Sequence, residues 1–304
     1  EVVREALKRL EISFSAYEKH RARNVYNSAY SNWWEVAGHR WYTHLQTTVG
    51  VVGLGSVGDA AFTTFSNHFH TVGYDVDGRG DWKEIVASDV AIVCVPTNAA
   101  SDGQLDMTHV MDVAHKLAEE SFNGLMIIKS TLQPGTMDAI NERFPHLRAA
   151  YAPEFLREKD ALEWFQSPDR LVYSCATSDE TALLEYFSWI GEEVPRIRME
   201  HLEAELGKLA HNAYIATKVT FTVEIERLAH HFGVDPGPVM ETVWRDRRVN
   251  NPAHLTPKKG GFAGKCVPKD TAALAQLDPD EESILHILSR RGSEEAHRER
   301  MKNA

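Results

Sequence analysis

The chain has 304 residues, a formal net charge of −11 and a hydrophobic fraction of 43%, which allows two ordinary domains with separate cores. The acidic balance argues against a nucleic-acid-binding surface, and no apolar run approaches the ~18 residues of a membrane span. Three cysteines are too few for a disulfide framework, and no signal-peptide pattern is present. Together they predict a reducing, cytoplasmic location.

Residues 1–47 are predicted to form a helical, aromatic-rich N-terminal arm. Apolar residues from Val3 to Tyr17 recur at helical spacing, and the segment holds eight Phe, Tyr and Trp residues among several Lys and Arg. Interleaved aromatic and basic residues can bind nucleic acid. Packing on the chain's own fold or on a partner subunit is the favoured interpretation, because interfaces are rich in aromatic residues.

From residue 48 to 198 the sequence predicts an α/β domain. Helical stretches alternate with short β-rich runs, which lie at Val49–Leu54, Thr71–Asp75, Val90–Val95, Leu125–Lys129, Leu147–Tyr151 and Leu171–Cys175. Such alternation is typical of a Rossmann-type, doubly wound parallel sheet with its ligands at the carboxyl ends of the strands.

The first β-rich run ends in a glycine turn that predicts a dinucleotide site. The turn comprises Gly53, Gly55 and Gly58, with Ser56 and Val57 between the last two. Asp75 follows Gly55 by 20 residues, where a carboxylate can accept hydrogen bonds from ribose hydroxyls and repel a 2′-phosphate. NAD is therefore favoured over NADP. The neighbouring Arg79 leaves NADP open, and a purely structural turn is the remaining alternative.

Loops that follow later strands carry further candidate ligands. Pro96 and Thr97 follow the third strand, and Thr131 follows the fourth. Each hydroxyl is either a ligand at the carboxyl edge or an ordinary strand-end cap. Glu154 and Glu158 are four residues apart and share one face if their segment is helical. Paired carboxylates suit general-base chemistry, although many such pairs are only solvated surface.

Residues 199–304 are predicted to form an all-helical domain. A long helix over 200–232 opens with acidic residues and ends before Gly233. Lys208 and Asn212 lie one turn apart on it and could stabilise an oxyanion, or form an interface ion pair. Because the helix is apolar on nearly all sides, we expect it to be covered by a second copy of the chain. Its apolar residues are Leu206, Leu209, Tyr214, Ile215, Val219, Phe221, Val223, Ile225 and Leu228.

A glycine-rich loop presents Cys266, with Lys269 and Asp270 close behind it in the sequence. A thiolate nucleophile needs nearby positive charge, which Lys265 and Lys269 can supply. A dinucleotide site and an activated cysteine in one chain indicate a dehydrogenase that holds its substrate covalently.

The order of these motifs resembles the UDP-glucose/GDP-mannose dehydrogenase family over residues from about 48 to 290. Residues 153–158 match the family's Pro-Glu-Phe-Leu-Arg-Glu run, and Glu205, Lys208 and Asn212 match its Glu…Lys…Asn helix. The resemblance implies oxidation of a nucleotide sugar at C6 to the uronic acid, with two NAD and a thioester on Cys266. It also implies a homodimer through the helix over 200–232.

The resemblance also assigns roles to individual residues. Those implied in catalysis are Cys266, Lys208, Asn212, Asp270, Glu158 and Thr131. Those implied in substrate binding are Glu154, Phe155, Leu156, Arg248, Asn250, Gly261 and Lys269. Those implied in cofactor binding are Gly53, Gly55, Ser56, Val57, Gly58, Asp75, Pro96, Thr97, Thr131 and Lys269, and no metal is implied.

The sequence departs from the family in three places. A third, nucleotide-gripping domain of roughly 100 residues is expected to be missing, the connection from Asp75 to Val90 is short, and an insertion lies near residues 256–259. Lys258 and Lys259 are candidates for diphosphate contacts, and the arm is a candidate cover for the vacated surface. The alternatives are a single-step sugar-acid or hydroxyacid dehydrogenase with Lys208 as acid/base, and a noncatalytic paralogue that acts as a binding module.

Overall fold

A computed structural model describes residues 47–257, 262 and 266–292, and of Glu158 the backbone alone. The predicted arm, Lys258, Lys259, Gly261 and Lys265 lie outside these residues. The strands are β1 (Thr48–Val52), β2 (His70–Tyr74), β3 (Val90–Val93), β4 (Leu125–Ile128), β5 (Arg148–Tyr151), β6 (Leu171–Cys175) and β7 (Arg196–Arg198). The helices are α1 (Ser56–Ser66), α2 (Trp82–Val86), α3 (Thr108–Glu119), α4 (Thr136–Arg143), α5 (Ala161–Gln166), α6 (Glu180–Tyr186), α7 (His201–His231), α8 (Pro236–Trp244) and α9 (Cys266–Gln276).

The strands form one sheet in the order β2-β1-β3-β4-β5-β6-β7. The first five strands are parallel, with Val51 of β1 opposite both Gly73 of β2 and Ile92 of β3. β6 pairs antiparallel with β5, and β7 pairs parallel with β6. The chain leaves β1 toward β2 and then crosses back to β3, which opens a crevice at the carboxyl ends of β1 and β3. The predicted doubly wound sheet is confirmed.

Both faces of the sheet are buried, which explains why its strands read as continuous apolar runs. In β3, Ala91 and Val93 contribute to the core on one face, and Val90 and Ile92 to the core on the other. All four side chains have no solvent exposure. Burial of this kind contributes about 1.5–3 kcal/mol to the free energy of unfolding for each large aliphatic side chain. The two cores therefore hold the sheet rigid beneath the site.

The long helix α7 connects the sheet to the helical part of the chain. It starts with a capping box, in which the Glu200 and Glu203 side chains each accept from the other residue's backbone amide. Further along, Leu209 is fully buried in a small cluster with Leu105 and Ala273 of α9. Leu209 is therefore a core residue of the single chain.

Three other local expectations need correction. The strand β7 and the antiparallel pairing of β6 were missing from the sequence-based prediction, because a three-residue strand has too few positions to show a period. The segment 152–157 is irregular, and only a short 3₁₀ turn begins at Glu158. The helical-face argument for Glu154 and Glu158 therefore does not apply. Within the described residues, no helix combines the length and the apolar character needed to cross a bilayer.

Candidate active site

The glycine turn after β1 has the features of a pyrophosphate site. Gly53 has a φ of 87°, and a Cβ there would lie 2.8 Å from the carbonyl oxygen of Cys94. A Cβ at Gly58 would overlap the carbonyl oxygen of Gly53, so this glycine allows α1 to pack against the turn. A Cβ at Gly55 meets nothing within 4 Å, and no side chain caps α1. The space at Gly55 and the N–H groups at the uncapped start of α1 therefore lie at the same point, and together they fit a dinucleotide pyrophosphate.

Asp75 lies directly after β2, where the ribose of a dinucleotide is expected. Its Oδ2 accepts a hydrogen bond of 2.7 Å from the Leu54 amide of the turn. Arg79 is held by Asp77 at 2.9 Å and by Asp59 and Asp75 at 3.6 Å. The hydrogen bond to Arg79 lowers the pKa of Asp77. Three carboxylates thus neutralise the cation that a 2′-phosphate would need, and this favours NAD.

The polar residues after β3 and β4 lie at the same edge of the sheet. Pro96 is exposed, Thr97 is buried, and Thr131 is half-buried. Ser130 donates to the Val95 carbonyl oxygen at 2.6 Å, which joins the two loops. Since β3 and β4 are adjacent and parallel, the loops that carry Thr97 and Thr131 both follow the carboxyl ends of these strands.

Residues from α7 and α9 meet in a hydrogen-bonded cluster. Asn212 donates from Nδ2 to Oδ2 of Asp270 at 2.6 Å, and Lys269 donates from Nζ to Oδ1 of the same carboxylate at 2.6 Å. Asp270 is completely buried, and Asn212 is 6% exposed. Because both oxygens of Asp270 are engaged, its charge is compensated despite burial. The cluster unites residues that are 58 positions apart in the sequence.

Lys208 lies one turn before Asn212 on α7 and is also buried. Its Nζ donates to the backbone carbonyl oxygen of Glu154 at 2.6 Å. Burial lowers the pKa of Lys208, while Asp270, Glu154 and Cys266 oppose this shift. A buried ammonium with a lowered pKa is suited to donate a hydrogen bond or a proton to a developing oxyanion.

Cys266 is exposed and is the first residue of α9. The positive end of a helix dipole favours the thiolate form of a cysteine at this position. A charge on Cys266 also raises the pKa of Lys208, against the larger effect of burial. Lys269 forms an ion pair of 2.6 Å with Asp270, and its expected role in activating the thiol stays a prediction.

The Pro-Glu-Phe segment after β5 lines the same region. Glu154 forms an ion pair of 3.0 Å with Lys129. Phe155 has the guanidinium of Arg170 over its ring at 4.2 Å and the ammonium of Lys208 at 5.1 Å. Leu156 packs against the core on one face of the sheet. The sequence analysis identified this segment as a candidate part of the site. It did not identify Lys129 and Arg170, the two cations that contact the segment.

Two predicted substrate ligands are not brought to this cluster by any described contact. Arg248 is exposed on the turn after α8 and is paired with Asp246 at 2.6 Å. The Asn250 backbone has a φ of 43°, and its amide donates to the Asp246 carbonyl oxygen. The side chain of Glu158 and the whole of Gly261 lie outside the described residues. The roles expected for these four residues stay predictions.

Glu205 is a further component of the site. It is fully buried on α7, one turn before Lys208. Its carboxylate accepts from the amides of Gly135 at 2.6 Å and Met137 at 2.8 Å. Burial raises the pKa of Glu205, and these amide hydrogen bonds oppose that shift. The sequence shows a glutamate three residues before a lysine on an apolar helix. It does not show that the partner of this glutamate lies at the start of α4.

Comparison with known proteins agrees with this geometry. Residues 80–188 match the model of the UDP-glucose/GDP-mannose dehydrogenase family, NAD binding domain, and residues 202–291 match the central domain of the same family. Together the two matches cover more than half of the chain. The chain belongs to this family. The NAD-binding match extends through the strands that carry Thr97, Thr131 and Glu154.

Similar proteins include UDP-glucose 6-dehydrogenase AglM of Haloferax volcanii, 32% identical over 64% of this chain and 49% of that protein. GDP-mannose 6-dehydrogenase of Pseudomonas aeruginosa is 29% identical over 73% of this chain and 55% of that protein. The structure of a UDP-glucose dehydrogenase from Pyrobaculum islandicum is 28% identical with a TM-score of 0.70, over 82% of this chain and 69% of that one. The chain therefore spans about half the length of the curated relatives it matches.

Proposed function

We propose that this member of the family oxidises a UDP-glucose-like nucleotide sugar at C6 to the uronic acid through a covalent intermediate on Cys266. The observation that carries the proposal is the 2.6 Å hydrogen bond between Asn212 and Asp270. It joins the helix that holds Lys208 to the helix that begins with Cys266. A nucleophile, an oxyanion donor and a buried carboxylate then act on one carbon atom.

NAD, when bound at the glycine turn, accepts the hydride in each of the two oxidations. Cys266 adds as a thiolate to the aldehyde from the first oxidation, and Lys208 and Asn212 stabilise the alkoxide of the resulting thiohemiacetal. Loss of the second hydride leaves a thioester. Thr131 and Asp270 position a water molecule, Glu158 assists its deprotonation, and hydrolysis releases the acid and the thiolate.

The remaining predicted residues serve binding in this proposal. Phe155 and Leu156 contact the sugar beside Glu154. Arg248, Asn250 and Gly261 contact the substrate from the turn after α8 and from the cysteine loop. Lys269 holds Asp270 in place, which its 2.6 Å ion pair with that carboxylate supports. In this proposal Lys269 also contacts both the sugar substrate and NAD.

The test is a panel of UDP- and GDP-sugars, with NADH and uronic acid measured together. We expect two NADH for each acid formed, and no acid from Cys266→Ala because the thioester cannot form. Cys266→Ser is the matched control for shape, and should lose activity by at least about 10³-fold because its hydroxyl is a much poorer nucleophile. Unchanged acid production by either variant, or one NADH for each product, would favour a single-step dehydrogenase. Absence of turnover with every sugar would favour a binding module.

We further propose that the protein is a homodimer through α7. Five large apolar side chains on this helix are exposed in the single chain, namely Leu202, Leu206, Tyr214, Phe221 and Leu228. Their exposed fractions lie between 37% and 62%. An apolar stripe of this length along one helix is the kind of surface that a second copy covers.

A further inference from the structure

Lys129 is a buried cation paired with Glu154, whose backbone carbonyl oxygen accepts from the proposed catalytic residue Lys208. It follows the last residue of β4 and is 4% exposed. Its Nζ is 3.0 Å from Oε2 of Glu154 and lies 5.2 Å from the ring centroids of both Phe165 and Phe187. The ammonium is thus enclosed by one carboxylate and two aromatic rings, and its position is closely determined.

Little space for water surrounds this ion pair. A pocket whose lining includes Lys129, Glu154, Phe165, Phe187 and Arg170 has a volume of about 10 Å³, at the lower limit of what a single water molecule requires. The thiol of Cys94 lies near both charges, and burial raises its pKa to about 12, so it stays neutral. Because the side chains of Lys129 and Glu154 are only 3% and 13% exposed, these charges act on their neighbours more strongly than surface charges would.

Glu154 connects this ion pair to Lys208. Its Oε1 accepts from the Phe155 amide at 2.9 Å, and its backbone carbonyl oxygen accepts from Lys208 at 2.6 Å. One residue therefore lies between two buried lysines. The other titratable groups that act on Lys208 are Asp270, Cys266 and Lys269, and Lys208 in turn acts on His211, as does Arg170.

We infer that Lys129 is a positioning residue that acts through Glu154 to set the proton affinity of Lys208. With Lys129 present, the negative charge of Glu154 is largely cancelled at Lys208. Without Lys129, that charge would draw a proton more strongly onto the Lys208 amine. The inference rests on the proposed function in one respect, because the consequence for turnover depends on Lys208 donating to the reacting oxygen.

The test measures the protonation of Lys208 directly. Competitive labelling with acetic anhydride from pH 6 to 11, followed by mass spectrometry of the peptide that contains Lys208, gives the midpoint of its titration in each variant. Lys129→Met should move the midpoint upward by about one pH unit, and Glu154→Gln should move it downward by a similar amount. The backbone contact from Lys208 to residue 154 survives both substitutions. Lys129→Arg keeps the charge and should stay near the parent.

The double variant Lys129→Met with Glu154→Gln removes both charges and should return the midpoint to the parent value. The double variant can still overturn the inference if either single variant is too unstable to fold, because a neutral pair leaves no uncompensated charge in the interior. A merely structural role for Lys129 predicts no opposite shifts. Equal midpoints in the foldable single variants and the parent, or a double variant far from the parent, would overturn the inference.

Turnover gives a second, separable result. If Lys208 donates as an ammonium, the alkaline limb of the kcat profile should move upward with Lys129→Met and downward with Glu154→Gln, in parallel with the labelling midpoints. Opposite labelling shifts in a protein that oxidises no nucleotide sugar would support the role of Lys129 and refute the proposed function. Normal turnover of a nucleotide sugar without labelling shifts would support the proposed function and refute the role of Lys129.

Discussion

At the residue scale, the glycines of the turn after β1 differ in what they do. Gly58 supports packing, because a Cβ there would overlap the Gly53 carbonyl oxygen at 1.7 Å. Gly55 has a φ of −85°, which any residue can adopt, and no atom lies within 4 Å of its Cβ position. The absence of a side chain at Gly55 is thus unnecessary for folding, and we expect it to serve the approach of a ligand.

This difference predicts opposite behaviour of two alanine variants. Gly55→Ala should leave the free energy of unfolding within about 0.5 kcal/mol of the parent and weaken NAD binding by at least about tenfold, because the methyl group occupies the pyrophosphate position. Gly58→Ala should destabilise the fold by about 2 kcal/mol or more, because α1 must move away from the turn. Urea unfolding and calorimetric NAD titration would measure both. NAD affinity of the parent level in Gly55→Ala would contradict this assignment.

At the element scale, Glu205 joins α7 to the start of α4. Its carboxylate accepts from the amides of Gly135 and Met137 and lies near that of Thr136, so one side chain satisfies the first turn of α4. The loop that it secures begins at Thr131. The same helix face carries Lys208 and Asn212, so the contact sets the distance between the two halves of the site.

Glu205→Ala should lower the free energy of unfolding by about 2–3 kcal/mol, because it leaves buried amides without an acceptor and opens a cavity. The matched control is Glu203→Ala on the same helix. Glu203 is exposed and accepts only the Glu200 amide in the described contacts, so its loss should cost about 1 kcal/mol or less. Chemical denaturation of both variants would measure the difference. Equal losses of unfolding free energy in the two variants would show that the buried Glu205 cap stabilises the fold no more than the exposed Glu203 cap does.

At the scale of the whole molecule, the exposed stripe on α7 predicts a dimer. Phe221→Glu should shift the mass in sedimentation from dimer toward monomer at micromolar concentration, because a charge would be buried in the interface. Leu162→Glu is the control, since Leu162 on α5 is 41% exposed and Phe221 is 46% exposed. That variant should keep the dimer. A monomeric parent protein at the same concentration would contradict the proposal.

The sequence alone determined most of the elements and the kind of cofactor. The apolar runs identified β1 to β6, the acidic start and Gly233 bounded α7, and the glycine turn with Asp75 indicated NAD. These features are local, because strand burial, capping and turn conformation depend on residues that are near in sequence. The likeness in motif order identified the family that the comparisons then confirmed.

Only the tertiary structure decided which charges act together. Nothing in the spacing showed that Lys129 is held by Glu154, that Glu205 caps α4, or that Lys269 is paired with Asp270. The first two contacts join side chains to partners that the fold places beside them, and the third joins two neighbours in the sequence. A buried charge selects the partner that compensates it best in a dry interior, and that choice depends on packing in three dimensions.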